Sequence, residues 1–281
     1  MRRTDLALEQ MEHLEHTQPG QPFDGLKRED RKEAGISLTA ITVLNKAGSQ
    51  LVGKPLGRYI TATFPQLGGA GECPPEQVEV LAGELRKLLP KQGACLVVGL
   101  GNSSITPDAL GPETTAQVFS TRHIPENTMI EGFQGLRCVS AIAPGVLGQT
   151  GMEAGEIVAA LVERTRPACV IAVDALAAGE MERLGCTVQF SDTGISPGSG
   201  VQNRRRELSK ATLSVPVIAV GVPTVVDASG LLQKESRTEP MMVTPRNIDQ
   251  LIRHAARLLS LSINRALQPT LSVEEIEMLV N

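Results

Sequence analysis

The sequence predicts an α/β fold on a largely parallel sheet, with an additional antiparallel β pair nearer the N-terminus. Three observations predict it. From residue 94 onward, short runs that are apolar throughout recur along the chain: CLVVGL (95–100), CVSAIA (138–143), CVIAVDAL (169–176), CTVQF (186–190) and VPVIAVGV (215–222). Strands apolar on both faces belong inside a sheet that is covered on both sides. Helical patterns separate these runs, the alternation that marks βαβ units. Upstream, ISLTAITVL (36–44) and GRYITATFP (57–65) carry β-branched residues on either side of a Gly-containing turn region, which predicts the antiparallel pair.

Taken in order, the first sixteen residues have a helical rhythm in Leu8, Met11 and Leu14, with Thr4 or Asp5 as N-cap. Residues 17–33 are polar and read as a connector before the β pair. LGGAGECPP (67–75) is a loop, and 75–89 is an amphipathic helix with Val78, Leu81, Leu85 and Leu88 on one face and Pro75 at its start. The segment 150–167 is a helix with Ile157, Leu161 and Val162 inward, stopped by Pro167. A last helix over 246–267 buries Ile248, Leu251, Ile252, Ala255, Leu258, Leu259 and Ile263. No internal repeat or low-complexity tract divides the chain, which reads as one domain over 1–281.

Composition removes several function classes. With 5 Phe, 1 Tyr and no Trp among 281 residues, the core must be built from Val, Leu, Ile and Ala, and a base-stacking platform for single-stranded nucleic acid is excluded. A net charge of −4 argues against electrostatic partnership with DNA or an anionic membrane. The N-terminus lacks a signal-peptide apolar core and no run is long enough to span a bilayer, so a cytoplasmic protein is expected. Cys73, Cys95, Cys138, Cys169 and Cys186 are widely spaced without a CxxC pair and read as reduced thiols. His13, His16, His123 and His254 form no HExxH, and no GxSxG elbow is present. Arg204, Arg205 and Arg206 read as a solvated or subunit-facing patch.

In open α/β sheets, chemistry gathers beyond the carboxyl ends of the strands. After the run at 95–100 comes GLGNSSITPDALGP (99–112), a Gly-x-Gly-Asn turn presenting Asp108; it lacks the third glycine of a dinucleotide fingerprint and the Gly-Lys-Ser/Thr of a phosphate loop. Asp174 closes the apolar stretch VIAVD, where a carboxylate is costly to desolvate unless paired, bound to a cation or protonated. Two such acids from neighbouring strand ends can share one proton and orient a water between them. FSDTGISPGSG (190–200) contains Asp192, Thr193 and Gly194 in a tight turn, and Gly194, Gly198 and Gly200 leave amides able to face a substrate or an oxyanion. Two further loops are expected at 142–156, a candidate anion-binding helix start, and at 220–228, with Asp227 as a structural acid.

The strings RTDLALE (3–9), GLGNSSITPDALGP (99–112), VSAIAPGVLGQTGMEAGEIV (139–158), VIAVDALAA (170–178), QFSDTGISPGSGVQNRRRELS (189–209), PVIAVGVPTVVDA (216–228) and MVTPRNID (242–249) together closely resemble the germination protease of endospore-forming bacteria. The resemblance covers nearly the whole chain. It implies an endopeptidase, made as an inactive zymogen and assembled as a homotetramer, that starts the degradation of small acid-soluble spore proteins in the forespore and spore core. It implies a phosphorylase/hydrolase-like three-layer sandwich, similar in fold to hydrogenase-maturation endopeptidases, and no cofactor. The family's catalytic aspartates match Asp108 and Asp174. Because the hydrogenase-maturation enzymes bind nickel through comparable acids, a metal-dependent endopeptidase using the same two residues is the alternative reading, and a non-catalytic spore-protein-binding relative is a second. The self-cleavage point matches the bond between Asp5 and Leu6, which makes residues 1–5 a short propeptide. SGLLQKESRTEPM (229–241) stands where relatives carry a longer charged segment, implying a shortened insertion.

Overall fold

A computed structural model describes residues 4–65, 73–125, 133–196, 207–227 and 241–280. In chain order the elements are α1 (Ala7–Thr17), β1 (Leu26–Glu33), β2 (Ile36–Val43), α2 (Lys46–Val52), β3 (Gly57–Thr63), α3 (Pro75–Leu88), β4 (Cys95–Gly99), α4 (Leu110–Thr115), β5 (Val139–Ile142), α5 (Leu147–Thr150), α6 (Ala154–Thr165), β6 (Cys169–Ala178), β7 (Thr187–Ser191), α7 (Lys210–Leu213), β8 (Val217–Asp227), β9 (Met242–Val243), α8 (Ile248–Leu267) and α9 (Val273–Val280). The described strands form one sheet in the order β1-β2-β3-β7-β8-β6-β4-β5, with β9 alongside β8. The strands β5, β4, β6 and β8 run parallel, the rest antiparallel. The predicted α/β class therefore holds, and the antiparallel part is larger than a pair.

Four local expectations are corrected. Residues 26–33, read as connector, form β1, paired along its whole length with β2 from Leu26↔Val43 to Glu33↔Ile36. Its sequence, LKREDRKE, hides the strand because β1 lies at the sheet edge and is mostly solvent-facing, where charges discourage a further strand from adding. A two-residue turn at Ala34 and Gly35, both at positive φ (48° and 76°), joins the hairpin with the twist the strands need. The run at 186–190 is a strand, but an antiparallel one. Residues 220–227, read as a loop, belong to β8, and the register slips opposite Pro223 between Leu176 and Ala177, an irregularity that accommodates a residue with no N–H to donate. Finally, α1 starts at Ala7 with Leu6 as N-cap and no side-chain cap. Short α2 and the C-terminal α9 were not legible from periodicity.

The core explains where an opening can form. One face of the sheet is packed by α3, α4, α8 and α9 through residues such as Val78, Leu81, Leu85, Leu110, Leu259 and Ile276, set against Val97, Ile171, Phe190 and Val220. Each such fully buried side chain contributes roughly 1.5–3 kcal/mol. The other face is covered in two separate patches. Val158, Val162 and Leu213 of α6 and α7 pack on Val98, Val170, Ala172 and Val217, while Leu8, Met11 and Val52 of α1 and α2 pack on Ile41, Val43 and Tyr59. The sheet between these patches is left to other residues, and the pocket described below lies there.

Helix α8 also pins the chain that follows α4. The buried amide of Asn264 accepts from Phe119 N–H at 2.9 Å and donates to Gln117 C=O at 3.0 Å, and Gln268 makes the same two-way bond with Arg137 at 2.8 and 2.9 Å. Asn264→Leu keeps the branched shape but removes both hydrogen bonds, leaving Phe119 N–H and Gln117 C=O without them. We expect a loss of about 2–4 kcal/mol, read as a lower urea midpoint at unchanged m-value.

Candidate active site

Glycines and strand pairing bring Asp108 and Asp174 to the same opening. At the end of β4 the chain turns through Gly101, whose φ of +119° and whose approach to the Asp108 backbone (an added Cβ would lie 2.0 Å from that carbonyl oxygen) admit only glycine. Asp108 ends a short 3-10 turn, Thr106–Asp108, and its Oδ2 accepts from Asn102 N–H at 2.8 Å, closing the loop on itself. The loop is fastened to the sheet twice. Leu100 N–H donates to Val173 C=O at 2.8 Å, and Thr224 Oγ1 of β8 donates to Pro107 C=O at 2.8 Å. Helix α4 then rests directly on the strand ends, because Gly111 lets its backbone touch Leu100 and Val173.

Asp174 follows Val173 on β6. The strand continues to Ala178, so Asp174 lies within a strand and not at its end, as the sequence suggested. It is nevertheless beyond the last β4 pairing, Gly99↔Val173, and this is what exposes its side chain to the β4 loop. The residue is buried, 5% exposed, and its Oδ1 accepts from Ala175 N–H at 3.0 Å. Across the sheet Asp174 is in register with Gly221 of β8, and Gly221 with Gln189 of β7. Residues in one row point to the same face, so Asp174 and Gln189 face each other roughly 10 Å apart across a position with no side chain. A Cβ at Gly221 would meet Leu176 Cγ at 2.6 Å and Asp174 O at 2.7 Å.

These side chains line a pocket of about 620 Å³ between the two helix patches, shared by Asp5, Lys54, Tyr59, Asp108, Asp174, Gln189, Thr193 and Gly194. Burial pushes the Tyr59 hydroxyl up to about 12, so it stays protonated and donates to Pro55 C=O at 2.9 Å. Burial lowers the Lys54 ammonium's pKa, opposed by the Asp5 and Glu9 carboxylates. Asp5, expected to cap the first helix, is instead drawn into the site. Its N–H donates to Ala177 C=O at 2.8 Å, and its Oδ2 accepts from Ala177 N–H at 2.8 Å. Leu6 is fully buried with Leu176, Ala178 and Val226. Thus Asp5 lines the same pocket as the two acids, and Leu6, the next residue, is packed beside it against Leu176.

The other expected site residues divide. Thr193 and Gly194 border the pocket, and Gly194, at φ +83°, packs against Leu208 O, where an added Cβ would come within 2.2 Å. Asp192 does not bond within its own turn; its Oδ1 accepts from Arg58 N–H of β3 at 2.7 Å and ties the loop to the sheet. Gly198, Gly200 and the arginines 204–206 lie outside the described residues, as does most of 229–241. Among the described residues all five cysteines are free, no group of three or more His, Cys, Asp or Glu is gathered for a metal ion, and no helix is long and apolar enough to cross a membrane. Lys54 and Gln189 escaped sequence reasoning: one sits in a Gly-Lys-Pro turn and the other in a short apolar run, and neither carries a motif.

Comparison with known proteins agrees along the length of the chain. The family profile described as germination protease matches residues 2–237. A germination protease of Clostridium perfringens is 37% identical over 99% of both chains. That of Caldanaerobacter subterraneus subsp. tengcongensis is 40% identical over 99% of this chain and 98% of its own. That of Bacillus velezensis is 43% identical over 91% of this chain and 68% of its own. Among solved structures, a NiFe hydrogenase maturation protease, HycI from Thermococcus kodakarensis, superposes with a TM-score of 0.36 at 14% identity, covering 64% of this chain and 98% of that one. On the profile match and the near full-length relatives, the chain belongs to the germination protease family.

Proposed function

We propose that the protein is an endopeptidase that begins the breakdown of small acid-soluble spore proteins in the germinating spore, with Asp108 and Asp174 sharing one proton and activating water. Membership of the germination protease family supports a peptidase with protein substrates. The observation that carries the catalytic assignment is the convergence of both acids on a pocket that Asp5, on the N-terminal side of the Asp5–Leu6 bond, also lines. Two carboxylates sharing a site resist joint ionisation, so one is a base and the other an acid at the same pH. The ionised member takes a proton from water as its oxygen attacks the peptide carbonyl carbon, and the π electrons move onto the carbonyl oxygen. When this intermediate collapses, the C–N bond breaks and the protonated member gives its proton to the departing nitrogen. The products are a carboxylic acid and an amine, which exchange a proton to leave as carboxylate and ammonium. The turn at Asp192–Gly194 positions the substrate chain along the pocket rim.

Zymogen processing at Asp5–Leu6, a homotetramer and a place in the spore core belong to the same proposal, supported by the resemblance and by the seating of Asp5 and Leu6. The test is incubation with a purified small acid-soluble spore protein, with products and the enzyme's own N-terminus read by mass spectrometry. Internal cleavage of the substrate and loss of residues 1–5 are expected, at a rate unchanged by chelators, because among the described residues no group of three or more His, Cys, Asp or Glu is gathered to hold a divalent ion. Binding without cleavage would favour the non-catalytic alternative. Activity lost on chelation, with metal found by elemental analysis, would favour the metal-dependent one.

A further inference from the structure

We propose that Lys54 and Gln189 form the charge-stabilising site for the carbonyl oxygen of the bond being cleaved, a role that rests on the proteolytic function above. Two donors from distant parts of the chain converge on one oxygen. Lys54 Nζ, from the turn after α2, donates to the Asp5 carbonyl at 2.9 Å, and Gln189 Nε2, from β7, donates to the same oxygen at 3.1 Å. Lys54 Nζ also reaches Thr4 C=O at 3.3 Å. The Asp5 carbonyl belongs to the Asp5–Leu6 bond, and Lys54, Gln189, Asp108 and Asp174 line the same pocket.

A helix anchor alone does not need this arrangement. What the start of α1 requires is acceptors for its unpaired N–H groups, and Gln189 Oε1 provides one, accepting from Ala7 N–H at 2.9 Å. The Asp5 carbonyl precedes the N-cap and has no helical role. Withdrawing an ammonium from water to serve neutral carbonyls is costly; the Asp5 and Glu9 carboxylates offset part of that cost, and an oxygen that becomes negative offsets more of it at the point of contact. During hydrolysis that happens: as water adds to the Asp5 carbonyl carbon, the π pair becomes an alkoxide held by the Lys54 ammonium and the Gln189 amide. When the C–N bond breaks the pair returns to carbon, and Leu6 nitrogen leaves with a proton from the carboxyl pair. Fixed donors aimed at a developing oxyanion strengthen as charge develops and need no reorganisation. The register explains the placement, since Gln189 faces Asp174 across Gly221 and so can approach a carbonyl from the side opposite the acid.

The experiment uses the full chain, with a quenched fluorescent peptide spanning the sequence Arg2–Gln10 as probe, alongside loss of residues 1–5 by intact mass. Gln189→Glu keeps the acceptor for Ala7 N–H but removes the donor to the carbonyl; Lys54→Met removes the charge, and Lys54→Arg keeps it. Gln189→Glu and Lys54→Met should each lower kcat about 100- to 1,000-fold with KM changed less than about threefold and melting temperature preserved, and Lys54→Arg should recover much of the loss. A well-folded Gln189→Glu or Lys54→Met variant with unchanged kcat overturns the assignment. So does a loss confined to KM or one that follows melting temperature across the series. Cleavage by the unsubstituted chain that vanishes in Asp174→Asn establishes the proteolytic function separately, so retained rates in the Lys54 and Gln189 variants count against the clamp alone. An unsubstituted chain that cleaves nothing overturns both.

Discussion

Asp174→Asn and Asp108→Asn are each expected to leave the protein folded and to lower the rate of substrate cleavage by at least about 1,000-fold. Folding is expected to survive because asparagine can keep one acceptor of each aspartate: Asp174 Oδ1 takes Ala175 N–H and Asp108 Oδ2 takes Asn102 N–H, and an amide oxygen can do either. What asparagine cannot do is take a proton from water or pass one to a leaving nitrogen. The double variant sharpens the test. If the carboxylates act as one proton-sharing unit, removing the second costs little once the first is gone, and the double variant should be no slower than the slower single one. If they act independently, the losses multiply. Near-wild-type cleavage by either folded single variant would remove that aspartate from the mechanism.

Part of the lining of this pocket is legible in the sequence, and what is legible follows a physical pattern. Asp174 declared itself because a carboxylate inside an apolar run is expensive without a purpose, and Asp108 because a glycine turn after a buried strand presents whatever follows. Asp5 misled because an acid just before an apolar rhythm is an ordinary helix cap; its pairing with Ala177 depends on a strand far along the chain that local pattern does not encode. The same reason hides β1. Its charges are those of a solvated segment, and only pairing with β2 makes it a strand. Lys54 and Gln189 were invisible for a third reason, since their significance is a shared target oxygen and sequence spacing says nothing about convergence between a turn and a strand. The parallel strands were the most legible part because burial on both faces leaves a mark in every residue.

Gly111→Ala should be among the most damaging conservative changes outside the acids. Gly111 lies in the first turn of α4, where an added Cβ would stand 2.2 Å from Leu100 O, 2.5 Å from Leu100 N and 2.6 Å from Val173 O. All three atoms are backbone, and Leu100 N and Val173 O are already hydrogen-bonded to each other at 2.8 Å. No rotamer change can relieve the clash, so α4 must lift from the strand ends or the β4–β6 bond must break. Overpacking at a backbone contact costs about 1–3 kcal/mol, and a broken buried hydrogen bond adds about 1 kcal/mol more. Helix propensity favours alanine over glycine by only about 1 kcal/mol, so the net expectation is a loss of about 1–3 kcal/mol. The functional loss should exceed what that destabilisation explains. Asp108 is separated from α4 only by its N-cap Ala109 and its loop is tied to the same strands, so a shift of α4 carries the carboxylate away from Asp174. A displacement near 1 Å at a reacting group can lower a rate by about 100-fold. Thermal melting together with kcat on the folded protein separates the two effects. A variant that melts like the parent and cleaves at the parental rate would show that α4 does not set the position of Asp108.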